Sequence, residues 1–363
     1  MIKKFEGLPL GAGGELEKQK ETLPTTEVDN EVIWTNPAFE GQLPFKLEEY
    51  KRTNLGLFLS PEGSADSKQV EIHEFHTRSA ILGRVIFRDK DGSLYRDVDI
   101  KGLGSSESRR QYKGLRYGGV NAVPGILDEA SALKDQYFEE KLFEAGVRTP
   151  RTLALVRLRE ILTERSKPVS IGKAKKRNFF SRKKKALPQE INPVLSIRAF
   201  GTRMRVEDIW EPENKNRLLY IKDAKELVAS ELKTEAKDFS DIKYLEWFSL
   251  TLGQNIGRMH RNNMAHNNLG THNVTLDCRI VDFDTVSQLN EKAAEQTIHD
   301  NLNRARRSVS LPGYDEDFFR GWQTVKALAD EAGGDEESTQ LRLQELYEKS
   351  YNAELATNLN TNN

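Results

Sequence analysis

The stretch "HNNLGTHNVTLDCRIVDFD", from His266 to Asp284, places polar side chains around two short apolar runs. Asn273 follows His266 by seven positions, and Asp282 follows Asn273 by nine. The runs "VTL" and "RIV" predict a hairpin that brings the side chains of Asn273 and Asp282 to one edge. Oxygen ligands of this kind suit Mg²⁺ or Mn²⁺, so the stretch predicts a metal site in which His266 braces the loop. The alternative is an ordinary turn at Asn273 and a strand cap at Asp282.

The order of the elements around this stretch decides the fold class. Upstream, alternating apolar residues and an Asp-Gly turn predict a hairpin in "SAILGRVIFRDKDGSLYRDVDIKG", and periodicity predicts a helix in "GILDEASALKDQYFEEKLFEAG". Two further strands, "RTLALVRL" and "PVLSIRAFG", precede a long amphipathic helix, "YLEWFSLTLGQNIGRMHRNN". Helical patterns then fill the remainder. A small β-rich N-lobe followed by a mainly helical C-lobe predicts an α+β, protein-kinase-like two-lobed fold.

These patterns also predict how the chain divides. We expect a partly irregular N-terminal extension at 1–68 and a kinase-like N-lobe at 69–205. A helical C-lobe, with the catalytic loop and the metal-binding triplet, is expected at 206–350. The polar residues 351–363 predict a disordered tail.

The composition is that of an ordinary globular protein, with 363 residues, 37% hydrophobic, 31% charged and a net charge of −1. No window approaches the ~18 apolar residues of a membrane span, and no apolar run of ~7–15 residues follows the basic start as in a secretion signal. The single cysteine, Cys278, excludes an internal disulfide and a cysteine-based zinc site. We expect a cytoplasmic, monomeric protein.

One segment departs from this balanced charge. Residues 165–185 hold ten Lys or Arg and no Asp or Glu, which predicts a basic loop, 165–187, inserted into the N-lobe. Such a loop could dock an acidic protein partner or an anionic membrane surface, and the alternative is a solvated insertion without a partner. The remainder of the chain carries no strong signal for nucleic-acid binding.

A kinase-like site also needs a strand lysine for the nucleotide phosphates and an acid on the next helix to orient it. Lys101 ends the alternating strand "LYRDVDIK", where such a lysine belongs. A lone lysine or "DFD" triplet carries little information. The ordered set of lysine, helix acid, asparagine and aspartate, each in a matching structural context, favours a nucleotide site over unrelated turns and caps.

Four segments carry motifs that occur together in one family of kinase-like proteins. They are "DIKGLGSS", "KDQYFEEKLFEAGVRTPRTLALV", "LSIRAFGTRMRVED" and "HNNLGTHNVTLDCRIVDFD", within roughly residues 80–285. The chain thereby resembles the selenoprotein O family, whose members transfer AMP from ATP to hydroxyl side chains of proteins. The resemblance implies ATP and Mg²⁺ or Mn²⁺ as cofactors, and protein substrates with Ser, Thr or Tyr acceptors.

The resemblance also implies roles for the matching residues. Lys101 would bind the nucleotide, and Gly102 and Gly104 would belong to the nucleotide-binding segment. Arg198 and Arg205 would hold the far end of the triphosphate, because in this family the nucleotide is flipped relative to kinases. On a plain strand two arginines seven residues apart would point to opposite faces, so a bulge or loop between them is required.

The remaining roles include two departures from the family pattern. Asn273 and Asp282 would be the metal ligands. Asp135 falls where the family has a glutamate that pairs with the strand lysine; nearby alternatives are Glu129, Glu139 and Glu140. His272 stands where the family tends to have an acid, which is either lost here or replaced by an imidazole. We predict catalytic roles for Lys101, Asp135 and His272.

Asn268 separates the possible activities. Kinases usually carry an aspartate two residues after the loop histidine, which accepts the proton of the substrate hydroxyl. Asn268 occupies that position and cannot act as a base, which favours AMP transfer over γ-phosphoryl transfer. The alternatives are an atypical protein or small-molecule kinase and a nucleotide-binding pseudokinase that acts as an interaction module.

Overall fold

A computed structural model describes residues 21–39, 57–59, 68–72, 79–89, 92–104, 125–162, 167–176, 191–210, 216–288 and 313–357. The strands are β1 Glu21–Glu27, β2 Asn30–Thr35, β3 Leu57–Leu59, β4 Lys68–Ile72, β5 Ser79–Arg88, β6 Leu94–Lys101, β7 Leu127–Asp128, β8 Arg151–Leu158, β9 Glu160–Leu162, β10 Pro168–Ser170, β11 Pro193–Phe200, β12 Met264–Ala265 and β13 Ser287–Gln288. The α-helices are α1 Glu129–Glu144, α2 Ile171–Lys176, α3 Arg217–Glu231, α4 Asp241–Arg261, α5 Tyr314–Glu331 and α6 Glu337–Ala356.

One sheet dominates the N-terminal half of the described chain. Its strands follow the order β2-β8-β11-β6-β5-β4-β1-β3, β7 also pairs with β11, and each of these pairings is antiparallel. Helix α1 lies between β6 and β8 in the chain and packs against β8. The helices α3 to α6 follow the sheet. The structure thus has the β-rich part followed by a helical part that the predicted α+β, two-lobed fold requires.

The central strands β6 and β11 are buried along their whole length. Side chains alternate between the two faces of a strand, so the apolar Val98 and Ile100 lie on the face of β6 opposite to Asp99 and Lys101. Val98 and Ile100 join the apolar core of the sheet. Asp99 and Lys101 on the opposite face therefore need ionic partners, because a buried charge without a partner is strongly unfavourable.

Helix α4 organises the helical part. It begins after Ser240, whose hydroxyl accepts from the backbone N–H of Lys243 at 3.4 Å. Its apolar positions recur at helical spacing and are buried against α5 and α6: Leu245, Phe248, Leu252, Ile256 and Met259. None of the helices in the described ranges has the length and apolar character that crossing a membrane requires.

The structure bears on two predicted boundaries. Within the predicted extension 1–68, the described strands β1 and β2 belong to the sheet, and β2 pairs with β8. Helix α6 continues into the segment 351–363, where Tyr351 and Leu355 are buried. The prediction of a disordered tail was wrong for this helical part, because polar composition hid the two apolar side chains that bind it to the core.

The basic insertion 165–187 is in part built into the fold. Strand β10 pairs with β9, and α2 follows it directly. Val169 and Ala174 are buried, so this portion is not the exposed loop that its charge predicted. Residues 177–190, which hold five of the ten basic residues, lie outside the described residues.

Arg279 ties the predicted hairpin to the sheet. Its Nη1 and Nη2 donate to the carbonyl oxygens of Thr149 and Leu94, each at 2.8 Å. Its Nε pairs with Asp277 at 2.7 Å, and its guanidinium lies 4.0 Å from the centroid of the Tyr95 ring. Because Arg279 is fully buried, these contacts have to replace its hydration shell.

Replacing Arg279 should therefore destabilise the protein strongly. We expect Arg279→Met to lower the free energy of unfolding by about 3–5 kcal/mol, since the buried Asp277 would lose its nearest cation and keep only Arg148, at 3.9 Å. Urea unfolding followed by circular dichroism measures the change. Arg342→Met removes an exposed ion pair with Glu246 and should cost less than about 1 kcal/mol. A loss at Arg279 no larger than this control would contradict the proposed role.

Glu139 is a buried carboxyl group on α1. It accepts from the backbone N–H of Thr152, and the Thr152 hydroxyl lies 3.0 Å from its Oε2. Burial raises its pKa from 4.5 to about 8. The folded state therefore retains a proton that the unfolded chain releases within this range. The corresponding stability is present below pH 4.5 and is lost as the pH rises through about 8.

This linkage can be measured with an isosteric substitution. Glu139→Gln cannot ionise, so the decline of its unfolding free energy between about pH 5 and 8 should be smaller than in the wild type. Chemical unfolding at several pH values within this window gives both profiles. Glu144→Gln, at an exposed position of the same helix, should keep the wild-type profile. Equal slopes for wild type and Glu139→Gln would refute the assignment.

Candidate functional site

The structure brings Lys101 next to one acid of α1. Its Nζ lies 3.7 Å from Oδ2 of Asp135 and 2.8 Å from Oδ1 of Asp282. The three alternative acids of the helix have other partners: Glu129 pairs with Arg157, Glu139 with Thr152, and Glu140 with Arg151. Among these four acids, Asp135 is the one that contacts the lysine.

Asp135 is held in an unusual electrostatic state. Its Oδ1 is buried and has no hydrogen-bond partner in the described structure. Burial raises its pKa to about 6; Lys101 opposes the rise, and Asp282 and Asp284 add to it. A carboxyl group with such a pKa can gain or lose a proton near neutral pH, which structural surface acids rarely do.

Asp282 is the point at which the cations of the site converge. Nη2 of Arg205 lies 2.9 Å from its Oδ2, and Nη1 of Arg198 lies 3.9 Å from its Oδ1, the oxygen that also binds Lys101. Burial alone would raise the pKa of Asp282, but these three cations together hold it well below its usual value. Asp282 is therefore ionised at every physiological pH.

Arg198 and Arg205 reach the same carboxylate because the chain between them leaves the sheet. Strand β11 ends at Phe200, and its register against β8 shifts between Ile197 and Arg198. A side chain at Gly201 would clash with the carboxylate of Asp277, so the close approach there requires glycine. The required break in the strand is thus present.

Arg198 is fixed by a carboxylate of the neighbouring strand. Its Nε and Nη2 donate to the two oxygens of Asp99, at 3.0 and 2.8 Å. Asp99 was not predicted as a site residue from the sequence. It precedes Lys101 by two positions in the alternating run "DVDIK", so the shared face was a usable signal.

Asn273 and His272 lie beside Arg205. Nη1 of Arg205 donates to the carbonyl oxygen of His272 and lies 3.5 Å from Oδ1 of Asn273. Nδ2 of Asn273 donates to the carbonyl oxygen of Asn268 at 2.9 Å, which directs Oδ1 toward Arg205. The amide oxygen of Asn273 and the carboxylate of Asp282 are therefore held by the same guanidinium.

Burial and the nearby Arg205 lower the pKa of His272. Its imidazole is therefore neutral at physiological pH and able to accept a proton. Asn268 has no such capacity: its amide oxygen lies 3.5 Å from Nη1 of Arg320, on α5.

His266 is buried inside the loop. Its Nε2 lies 2.9 Å from the carbonyl oxygen of Val281, the residue before Asp282. Its backbone N–H donates to Oδ2 of Asp317 at 2.6 Å, and the N–H of Asn267 donates to Oδ1 of the same carboxylate at 3.1 Å. These bonds hold the loop against the hairpin and α5. Asp317 was not found from the sequence, because no local pattern links it to the loop.

Gly102 and Gly104 lie directly after Lys101 and are buried with positive φ angles of 105° and 89°. A side chain at Gly102 would clash with the carbonyl oxygen of Val194. Packing against β11 is thus sufficient to explain this glycine. A contact of either glycine with nucleotide stays a prediction.

The residues present fit a divalent cation that is held jointly with phosphate. In the described ranges, no cluster of three or more acidic, histidine or cysteine side chains could bind a metal ion by itself. Asp282 and Asn273 each offer an oxygen ligand, and both oxygens face the guanidinium of Arg205. Mg²⁺ is commonly bound by one or two carboxylates together with substrate phosphates and water, so this pair suffices when a nucleotide supplies the remaining oxygens.

No family model matches the sequence, and no curated protein sequence matches it. The specific rhoptry antigen kinase domain of Toxoplasma gondii aligns over 83% of this chain and 85% of its own, at 10% identity and a TM-score of 0.34. ROP2 from Toxoplasma gondii, described as a virulence factor with a protein-kinase fold and no enzymatic activity, aligns over 74% of this chain and 65% of its own, at 10% identity and a TM-score of 0.29.

WaaP, solved in complex with acyl carrier protein, aligns over 88% of this chain and 99% of its own. The identity is 13% and the TM-score is 0.24. Similarities at this level carry no argument about activity, substrate or partner.

Proposed function

We propose that this protein uses ATP and a divalent cation to transfer AMP to hydroxyl side chains of proteins. The observation that carries the proposal is the convergence of Lys101, Arg198 and Arg205 on the single carboxylate of Asp282. Asp135 and Asp99 also contact Lys101 and Arg198, so the three cations are balanced in charge. What suits a polyphosphate is that three long cationic side chains, with several N–H donors, reach one point. Asn268 stands two residues after the loop histidine, where kinases usually carry an aspartate base. Its presence there makes γ-phosphoryl transfer less favourable than AMP transfer.

The bound nucleotide would compete with Asp282 for the cations. Phosphate oxygens would take N–H donors from Lys101 and Arg205, and the carboxylate would turn to the metal together with Oδ1 of Asn273. The metal would neutralise phosphate charge during the reaction. Arg198 would stay oriented by Asp99, since its Nε and Nη2 are already bonded there.

The chemical step is a displacement at the α-phosphorus. The acceptor hydroxyl oxygen forms a bond to this phosphorus, and the bond from the phosphorus to the bridging oxygen of pyrophosphate breaks. Pyrophosphate leaves with the electron pair of that bond, and Arg198 and Arg205 would stabilise its charge. The hydroxyl proton passes to a base, for which neutral His272 is our candidate.

The resemblance to selenoprotein O proteins supports the same assignment, because they combine the lysine, the two arginines and the Asn–Asp pair. A nucleotide-binding pseudokinase is the second candidate. A pseudokinase would explain Asn268 equally well, because this residue cannot accept a proton in either reaction. A pseudokinase would explain the three converging cations less well.

Labelled ATP distinguishes these functions. We expect purified protein with Mg²⁺ or Mn²⁺ and a mixture of candidate protein substrates to take up label from the α-phosphate and not from the γ-phosphate. Lys101→Ala and Asp282→Ala should each reduce this labelling at least 100-fold, because each removes a charge from the reacting centre. Lys326→Ala, which breaks an exposed pair with Asp330, is the matched control and should keep the activity.

The other outcomes are equally informative. Label only from the γ-phosphate would establish a kinase and reject AMP transfer. Metal-dependent ATP binding without transfer of either label would favour the pseudokinase. Labelling that survives in both site variants would show that the activity does not reside at this site.

The proton acceptor can be tested by a pH profile. Since the pKa of His272 lies below its usual 6.5, its neutral form persists to mildly acidic pH. We expect kcat/KM for AMP transfer to be flat at neutral pH and to fall on the acidic side of pH 6.5. His272→Gln should lower the plateau at least tenfold and remove this acidic limb. An unchanged limb in His272→Gln would assign the base to another residue.

A further inference from the structure

Arg203 lies between the two arginines of the candidate site in the sequence, and nothing above assigns it a role. It is 4% exposed and sits in the loop that joins β11 to the residues around Arg205. Its Nη2 lies 3.0 Å from Oγ of Ser79. Ser79 is the residue paired with Lys101 across β5 and β6. The guanidinium of Arg203 therefore reaches the end of the sheet at which the nucleotide lysine stands.

The guanidinium is incompletely bonded. Nε and Nη1 of Arg203 are buried and have no hydrogen-bond partner in the described structure. The buried arginines around it are bonded differently: Arg96, Arg198 and Arg279 each form an ion pair of 2.9 Å or less. Burying donors without partners costs free energy, so such groups in a native protein require an explanation.

The nearby carboxylates do not supply the missing bonds. Both oxygens of Asp99 accept from Arg198, and the carboxylate of Asp97 accepts from Arg96 and from the backbone N–H of Arg203. They act on the side chain only through space. Burial lowers the pKa of Arg203, while Asp99 and Asp97 oppose this effect. The side chain is thus a cation with two open donors beside Arg198.

We propose that Arg203 is a third phosphate-binding arginine, whose Nε and Nη1 donate to the pyrophosphate end of the nucleotide. The inference rests on the proposed function, which places that end at Arg198 and Arg205. An anionic group with several acceptor oxygens would satisfy both open donors, as a neutral adenine ring would not. Arg203 is therefore also a residue that favours the flipped orientation of the nucleotide.

The probe is inorganic pyrophosphate with Mg²⁺, measured by isothermal titration calorimetry. Arg203→Gln should weaken pyrophosphate binding at least tenfold, while the affinity for AMP, which lacks the outer phosphates, should change less than twofold. Arg203→Lys should fall between wild type and Arg203→Gln, because it keeps the charge and loses the fork. Circular dichroism checks that each variant is folded, since Arg203→Gln also loses the hydrogen bond to Ser79.

A purely structural arginine would give the reverse pattern. Pyrophosphate affinity would then stay within twofold of the wild type in both folded variants, Arg203→Gln and Arg203→Lys. That result, or no pyrophosphate binding by the wild-type protein, would overturn the proposal. Arg342→Gln, at an exposed position, serves as the matched control.

The outcome is separable from that of the proposed function. Loss of pyrophosphate binding in Arg203→Gln, together with no transfer of α-phosphate label by the wild type, would support the inference and reject AMP transfer. Transfer of α-phosphate label with unchanged pyrophosphate binding in Arg203→Gln would do the opposite.

Discussion

The buried guanidinium of Arg279 fixes the relation between the two halves of the candidate site. It bonds to the carbonyl oxygen of Leu94 at the start of β6, and Lys101 ends the same strand. In the hairpin, Arg279 stands three residues before Asp282. The strand and the hairpin are thus joined at one point, and their other ends carry the ion pair of the site. A displacement of Arg279 would separate Lys101 from Asp282, so the stability of the fold and the geometry of the site share one interaction.

Under the proposed function, the same carboxylate would make metal and nucleotide binding interdependent. Asp282 is bonded to Lys101 and Arg205, and these donors are the ones that phosphate would need. A cation approaching Asp282 alone would meet the positive charge of its partners. Phosphate that draws these partners away would at the same time release carboxylate oxygen for the metal. The arrangement therefore favours a nucleotide and a cation that bind together over a cation that binds alone.

The sequence predicted what depends on local order and spacing, and it failed where tertiary contacts decide. The succession of strands and helices predicted the two-lobed fold, because periodicity is a local property. The spacing that led to Lys101 and Asp282 is also local, and the structure brings the two residues together. Arg203 was missed because it lies in a loop and belongs to no local motif. Asp317 was missed because it lies more than forty residues from the loop that it holds. The limits of the tail were wrong because two buried side chains, Tyr351 and Leu355, outweigh its polar composition.

Buried side-chain nitrogen and oxygen atoms without hydrogen-bond partners are further evidence for the location of the site. The described structure has five such side-chain atoms, and three of them belong to Asp135 and Arg203. Native proteins satisfy nearly all buried polar groups, and the exceptions concentrate where strain serves a function. The other two of the five atoms belong to Thr149 and Arg151, outside the candidate site. Asp135 contacts Lys101, and Arg203 bonds to the residue paired with Lys101, so these two side chains lie at one end of β6. A fold selected for stability alone would have replaced or paired them. Their persistence beside a cluster of cations is what a site shaped for a charged ligand requires.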